Sequence, residues 1–333
     1  MAQENLAAIS EDYYQISEAV LSSFPKYRLP LDLFLLQEEV VLLVPYYKKE
    51  TRLSNEQVEE MHENCKQGLL FVARSDHPIY SQHIVKQLDL ALQDQNLKES
   101  EVADIFIRAL SLRLAEFFEQ PVKVVFDRIY EDCLVFTEFL WIDRHRIKLF
   151  MRRLHKGDHS LINHTLNTMF AGLWLFMRIK GAELARKELD NHALGFLLHD
   201  VGMTKVPAFI TAKNTPLKQD EKEKIPKHVF AGADVMRKME LLDDDALALC
   251  LEHHERMDGS GYPQKMNSSR ISRSGAICAV ADSFSAMIQK RPYAEAKPPL
   301  EAAKELADDA RYDRQISTAL FSDIFSGSFG KEI

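Results

Sequence analysis

Hydrophobic and polar positions alternate with two different periods along this chain. In the first third, "LPLDLFLLQEEVVLLVPYYKKETRLS" reads as two strands, and "SNEQVEEMHENCKQG" as a short helix with Ser54 and Asn55 as candidate caps. "GLLFVA" reads as a further strand, which makes a small β-β-α-β unit. From Glu101 to about Gln120 the period becomes helical, with Val102, Ile105, Phe106, Ala109 and Leu110 on one side. "PVKVVF" after Pro121 is ambiguous, and a short strand fits it.

Beyond Asp132 nearly everything reads as helix. Ile147, Phe150, Met151 and Leu154 fall on one buried stripe. "HKGDHS" breaks the pattern, and Ser160 is placed to cap the next helix, which runs to Gly181. Another helix is expected from about Asp190 to Gly202, with Gly202 as its C-cap. The predicted organisation is α+β: an N-terminal domain over 1–131, a connecting helix over 132–159 and a helical domain over 160–333.

At 333 residues the chain has room for two domains, and 46% hydrophobic with 28% charged residues supports a packed core. A net charge of −8 argues against a broad duplex-binding surface. A small anionic ligand stays compatible with that charge if bound metal ions supply local positive charge. The four cysteines form no CxxC pair and read as reduced thiols, which suggests a cytoplasmic protein. No signal peptide is visible beside Glu4, Glu11 and Asp12, and the longest apolar run, "VVLLVPYY", is too short to span a bilayer.

Histidine changes the picture most. Nine of the twelve lie between His145 and His254, whereas His62, His77 and His83 are scattered. His199 and Asp200 end the apolar stretch "NHALGFLLHD", where the helix dipole opposes a carboxylate and a compensating cation is needed. Asp282 sits inside "GAICAVADSFSAMI", where a buried carboxylate needs a metal or a partner such as Arg291. In "CLEHHERMDGSGYP", the adjacent His253 and His254 point about 100° apart if helical, which suits two neighbouring ions or one ion and a substrate phosphate. Imidazole with carboxylate suits Fe, Mn or Zn. Gly259 and Gly261 would let the following backbone approach a phosphate or sugar, with Tyr262 and Pro263 fixing the exit. His164 and His228 are weak signals alone.

Taken in order, "HDVG" (199–202), "HVFAG" (228–232), "HHERMDGSGYP" (253–263), "ADSFSAM" (281–287) and "RPY" (291–293) resemble the HD-GYP family of metal-dependent phosphohydrolases. The resemblance covers about half of the chain, from His164 to Tyr293 and more weakly to about Phe325. It implies a helical bundle with two or three metals that hydrolyses cyclic di-GMP to linear pGpG, sometimes onward to GMP. It implies seven metal ligands: His164, His199, Asp200, His228, His253, His254 and Asp282. His199 and Asp200 would stand at the catalytic step, and Arg291 and Tyr293 would hold nucleotide.

Two positions depart from the family pattern. Members with a third metal carry glutamate where this chain has Ser160, which favours two divalent transition-metal ions, Fe or Mn foremost and Zn as an alternative. The commonest motif has a lysine where Met203 stands, with Lys205 two residues on. The alternatives are a weak site that senses nucleotide, or an enzyme for another cyclic dinucleotide. The N-terminal unit reads as a regulatory or partner-binding domain, or one that forms a homodimer.

Overall fold

The computed structural model describes residues 12–84, 88–94, 96–157, 159–211, 213, 215, 218–240, 243–291 and 294–329. Tyr293, residues 1–11 and the side chain of His83 lie outside them. The chain divides into two compact units, 1–109 and 110–333.

The first unit runs β1 (Tyr13–Gln15), α1 (Glu18–Ser23), β2 (Leu33–Gln37), β3 (Leu42–Tyr47), α2 (Asn55–Lys66), β4 (Leu70–Ala73), α3 (His77–Ile84) and α4 (Leu88–Gln93). The strands form one antiparallel sheet in the order β1-β4-β2-β3. The expected β-β-α-β order is present, with one strand more. Ser54 caps α2 through a reciprocal pair with Gln57. Leu31, Leu33, Leu70 and Val72 are fully buried. α5 (Glu99–Glu119) lies across the boundary between the units.

The second unit is helical: α6 (Lys123–Ile142), α7 (Ile147–Met151), α8 (Leu161–Lys180), α9 (Arg186–Leu198), α10 (Ala208–Thr211), α11 (Gln219–Lys222), α12 (Lys227–Arg237), α13 (Asp244–Glu252), α14 (Arg273–Met287), α15 (Pro299–Asp308) and α16 (Arg314–Phe325). "PVKVVF" opens α6 and is not a strand: Phe126 is buried while Val124 faces solvent, a helical register that the β-branched composition hid. The segment 132–159 is not one helix either. It holds the end of α6, a 3-10 turn at Arg144–Arg146, α7 and an irregular stretch. Nor does it stand apart, since the rings of Phe136 and Phe150 lie 5.0 Å apart and that of Phe150 5.0 Å from Phe170 on α8.

Two helices set the frame of the site. α8 starts where predicted: the Ser160 hydroxyl accepts from the Asn163 amide at 3.1 Å, and Gly181 ends it at φ 53°. α14 packs along α8 and is buried for nearly its whole length, Ser274 to Ser285. α9 begins at Arg186, four residues before its predicted start. Its first turn is held by Glu188, which accepts from the Ala185 amide at 3.0 Å, without a Ser or Thr to announce it.

Candidate metal centre

Five of the residues singled out stand at helix ends. His199 is the last residue of the α9 turn and Asp200 follows it. His228 is the second residue of α12, and His253 ends α13 with His254 next. Helix C-termini leave backbone carbonyls without helical partners, and His199 and His253 use two of them, while His228 uses one in the turn before its helix. His199 Nδ1 lies 2.7 Å from the Phe196 carbonyl, His228 Nδ1 2.6 Å from that of Ile225, and His253 Nδ1 2.7 Å from that of Cys250. A carbonyl oxygen only accepts, so each Nδ1 carries the proton and each neutral ring turns an Nε2 lone pair inward.

Those lone pairs converge. His228 Nε2 and His253 Nε2 are 3.3 Å apart, although neither has a proton to give in that tautomer. Two nitrogens sharing one ion at about 2.0–2.1 Å would stand about 2.9–3.4 Å apart at octahedral to tetrahedral angles. The observed spacing fits a shared cation. His199 Nε2, His164 Nδ1 and Asp200 Oδ1 are also buried without a hydrogen-bond partner, as donor atoms reserved for an ion would be.

Asp200 stands between two groups of donors. Its Oδ1 is 3.1 Å from His228 Nε2 and 3.7 Å from His253 Nε2, and its Oδ2 is 3.8 Å from His164 Nε2 and 3.9 Å from His199 Nε2. The groups that could each hold an ion are Asp200, His228, His253 and His254 on one side, and His164, His199 and Asp200 on the other. Asp282 reaches both sides: Oδ1 lies 2.9 Å from His164 Nε2 and 3.7 Å from His199 Nε2, and Oδ2 lies 3.9 Å from His254 Nδ1. The partner proposed for Asp282 from sequence, Arg291, is thus replaced by histidines.

The electrostatics suit cation binding. Burial would raise the carboxyl pKa of Asp200, but the imidazoles of His228, His253 and His199 around it hold it well below the usual range. Asp282 is likewise held low against burial by His164 and His199. Both are therefore ionised at neutral pH. Burial pushes the imidazoles of His253 and His254 down, which keeps them neutral and ligating. His199 and His228 are raised by the carboxylates despite burial, a shift that an entering cation would oppose.

Glycines set this geometry in ways the sequence did not show. Gly202 is not a C-cap but part of a 3-10 turn, Val201–Lys205. A Cβ there would meet the His228 carbonyl oxygen at 1.9 Å and the Gly232 nitrogen at 2.6 Å. The glycines of "HDVG" and "HVFAG" thus face each other and bring Asp200 beside His228. Gly261 packs against its own chain, since a Cβ would meet the His254 carbonyl oxygen at 2.4 Å and the Arg256 nitrogen at 2.5 Å. The close approach it allows is to the backbone of His254, Glu255 and Arg256. Gly259 takes φ 80°, which a side chain would strain.

The loop after His254 is held by carboxylates that sequence reasoning left without a role. Buried Glu255 accepts from the amides of Gln264 (2.6 Å) and Met266 (2.9 Å), and Glu252 from the amide and hydroxyl of Ser272 (both 2.7 Å). Tyr262 is thereby seated with its ring 4.6 Å from that of His254. At the rim, the His159 amide donates to the Lys290 carbonyl at 2.9 Å, which sets Arg291 beside His159. The His159 ring lies 5.7 Å from that of His164. Met203 is half-buried in the 3-10 turn and Lys205 is exposed at its end.

Comparison with known proteins bears on the same part of the chain. The HD domain family matches residues 175–316. A cyclic di-GMP phosphodiesterase of Thermotoga maritima is 38% identical over 136 residues, 40% of this chain and 37% of that protein. This stretch of the second unit is similar to HD domains. A 3'3'-cGAMP-specific phosphodiesterase of Vibrio cholerae is also 38% identical, over 33% of this chain and 21% of that protein. The chain thus spans well under half the length of these curated relatives. In fold it resembles Bd1817, an HDG"Y"P protein from Bdellovibrio bacteriovorus, with a TM-score of 0.62 and 17% identity over 95% of this chain and 100% of that one. HD-domain phosphohydrolases depend on metal, and the buried His/Asp cluster of this unit has the donors for it.

Proposed function

We propose that this centre hydrolyses a phosphodiester bond of a cyclic dinucleotide, cyclic di-GMP foremost, to linear pGpG and in part to GMP. The observation that carries the reading is Asp200, which offers one oxygen to each of two groups of imidazoles. Two divalent transition-metal ions follow, Fe or Mn before Zn, with His164, His199, Asp200, His228, His253, His254 and Asp282 as ligands. A third is not called for, because the Ser160 hydroxyl is engaged as the cap of α8. The activities named for the relatives support the substrate class.

Bound ions would supply Lewis acidity at phosphorus and a hydroxide nucleophile near neutral pH. The chain's own residues do the rest. The carbonyl-bound Nδ1 protons of His199, His228 and His253 fix the tautomer and aim of each ring. Asp200 and Asp282 stay ionised and balance the cations. Arg291 at the rim and exposed Lys205 offer positive charge to phosphate oxygens. Tyr262 and the loop through Gly259 wall one side. Among the described residues the first unit holds no comparable donor cluster, and we assign it to regulation, partner binding or homodimer formation. No described helix is long and apolar enough to cross a membrane, in keeping with a cytoplasmic role.

The test is anaerobic purification, metal analysis and incubation with cyclic di-GMP and 3'3'-cGAMP, with products separated by chromatography. About two ions per chain and release of pGpG are expected. Met203 favours a second reading, a nucleotide sensor, since a thioether cannot donate to phosphate. Fully loaded protein that binds but cleaves neither substrate would establish the sensor and remove the enzyme.

A further inference from the structure

Arg256 is neither a metal donor nor a loop glycine, yet it touches both segments that must meet across the centre. Its Nη1 donates to the carbonyl oxygens of His253 (3.1 Å) and Glu255 (2.8 Å), and its Nη2 to Ser283 Oγ (3.3 Å). Ser283 directly follows Asp282 on α14. One planar guanidinium therefore ties the end of α13, with the His253–His254 pair, to the helix that presents Asp282. A fixed fork of donors suits such a link better than a flexible ammonium.

A third segment joins them. The Tyr312 hydroxyl, in the turn between α15 and α16, donates to Ser283 Oγ at 2.9 Å. The Arg256 guanidinium carbon lies 4.6 Å from the centre of the Tyr312 ring, within cation–π range. The Met257 amide donates to the Arg311 carbonyl at 2.9 Å, and Arg273 at the start of α14 reaches Asp313 (3.1 Å) and Gln315 (2.8 Å). The turn 309–313 is thus fastened to both ligand-bearing segments, and none of these contacts involves a metal-donor atom.

A plain staple that only stabilises the fold would make contacts of this kind too. The difference is where Arg256 acts. It joins the two segments whose separation sets the 3.9 Å from His254 Nδ1 to Asp282 Oδ2, and metal sites tolerate only about 0.2 Å of error in each ligand distance. We propose that Arg256, with Ser283 and Tyr312, is a positioning set that holds the His253–His254 pair at ligating distance from Asp282. Metal affinity then depends on the turn between the last two helices, which becomes a handle for tuning the centre from outside it. The proposal rests on the metal reading above.

The experiment uses the full chain, anaerobically loaded with Mn(II), with ion content followed against rising chelator. Arg256→Ala should weaken retention about tenfold, the scale for residues that orient metal ligands, and Tyr312→Phe by less. Arg256→Lys should not restore it, because one ammonium cannot hold both carbonyls and Ser283. The double variant should fall short of the sum of its parts, since both act through Ser283. Melting of the metal-free proteins separates a fold effect, and Tyr312→Phe, which removes a single half-buried hydroxyl, guards against a variant that fails to fold. Unchanged chelator midpoints in Arg256→Ala and Tyr312→Phe, with only the metal-free melting temperature lowered, would overturn the proposal. Wild-type protein that takes up no metal would overturn the reading beneath it, so the two failures are distinct.

Discussion

Replacing Gly202 by alanine tests whether the facing glycines of "HDVG" and "HVFAG" set the distance from Asp200 to His228. The added methyl would lie 1.9 Å from the His228 carbonyl oxygen, 2.6 Å from the Gly232 nitrogen and 2.8 Å from the His228 carbonyl carbon. All three are backbone atoms of α12, so no side chain can swing away. Real Cβ contacts essentially never fall under 3.0 Å, so the 3-10 turn must retreat by about 1.1 Å or more. That retreat is several times the roughly 0.2 Å tolerance of a metal–ligand distance, and it acts on the pair whose Oδ1–Nε2 separation is 3.1 Å. Overpacking of this kind costs about 1–3 kcal/mol, and each kcal/mol lowers the melting temperature by about 2–4 °C in a unit of this size. Metal analysis of Gly202→Ala should show the ion on the His228 side lost and the other largely kept, so content falls from about two to about one per chain. Gly157→Ala, where a Cβ meets nothing within 4 Å, is the control and should match wild type. Two ions and an unshifted melting temperature in Gly202→Ala would refute the packing argument.

Asp282→Ala and His254→Ala should each lose much of the bound metal, with Asp282→Ala the more damaging because its oxygens face both donor groups; full retention in both variants, read by elemental analysis, would remove them from the ligand set. Met203→Lys should raise cyclic di-GMP hydrolysis about tenfold, the equivalent of ~1.4 kcal/mol from one charge-assisted hydrogen bond to phosphate; a slower variant in a steady-state assay would show that another cation already holds that group. Burial lowers the pKa of His192, whose ring stacks on Phe176 at 3.6 Å and whose Nε2 lies 2.9 Å from Ser274 Oγ. The folded state therefore binds fewer protons than the unfolded chain, so stability should fall as pH drops below about 6.5, by up to about 1.4 kcal/mol per pH unit until the folded pKa is reached. Urea unfolding of metal-free protein at pH 7.5 and 5.5 should show that loss, and His192→Asn should show less of it; an equal loss in the variant would exclude His192 as its source.

Local signals in the sequence carried the helices that announce themselves with caps and a single buried stripe. α8 was legible because Ser160 precedes an apolar period and Gly181 ends it. The start of α9 was missed because its first turn is polar and its cap comes from Glu188 reaching backward. β1 has only three residues, too few for a period of two to show. The boundary at 109/110 left no mark because it falls inside the continuous apolar pattern of α5, without glycine, proline or a change of charge. Residue type and order brought the donors of the centre into view, but not their arrangement. That the carboxylate of Asp200 lies between two groups of imidazoles depends on where α9 and α13 end, where α12 begins and how α8 and α14 pack beside them. That proximity rests on residues with no ligand chemistry of their own: Gly202 and Gly232 where two backbones meet, Glu255 under the loop, and Arg256 across the gap to Ser283. Each lies within four residues of a proposed ligand, or of a motif that contains one, so the same short motifs encode both the donors and the packing that aims them. A motif of this kind is therefore a constraint on backbone approach as much as a list of ligands, and a chain that kept all seven donors but lost Gly202 should still lose the ion on the His228 side.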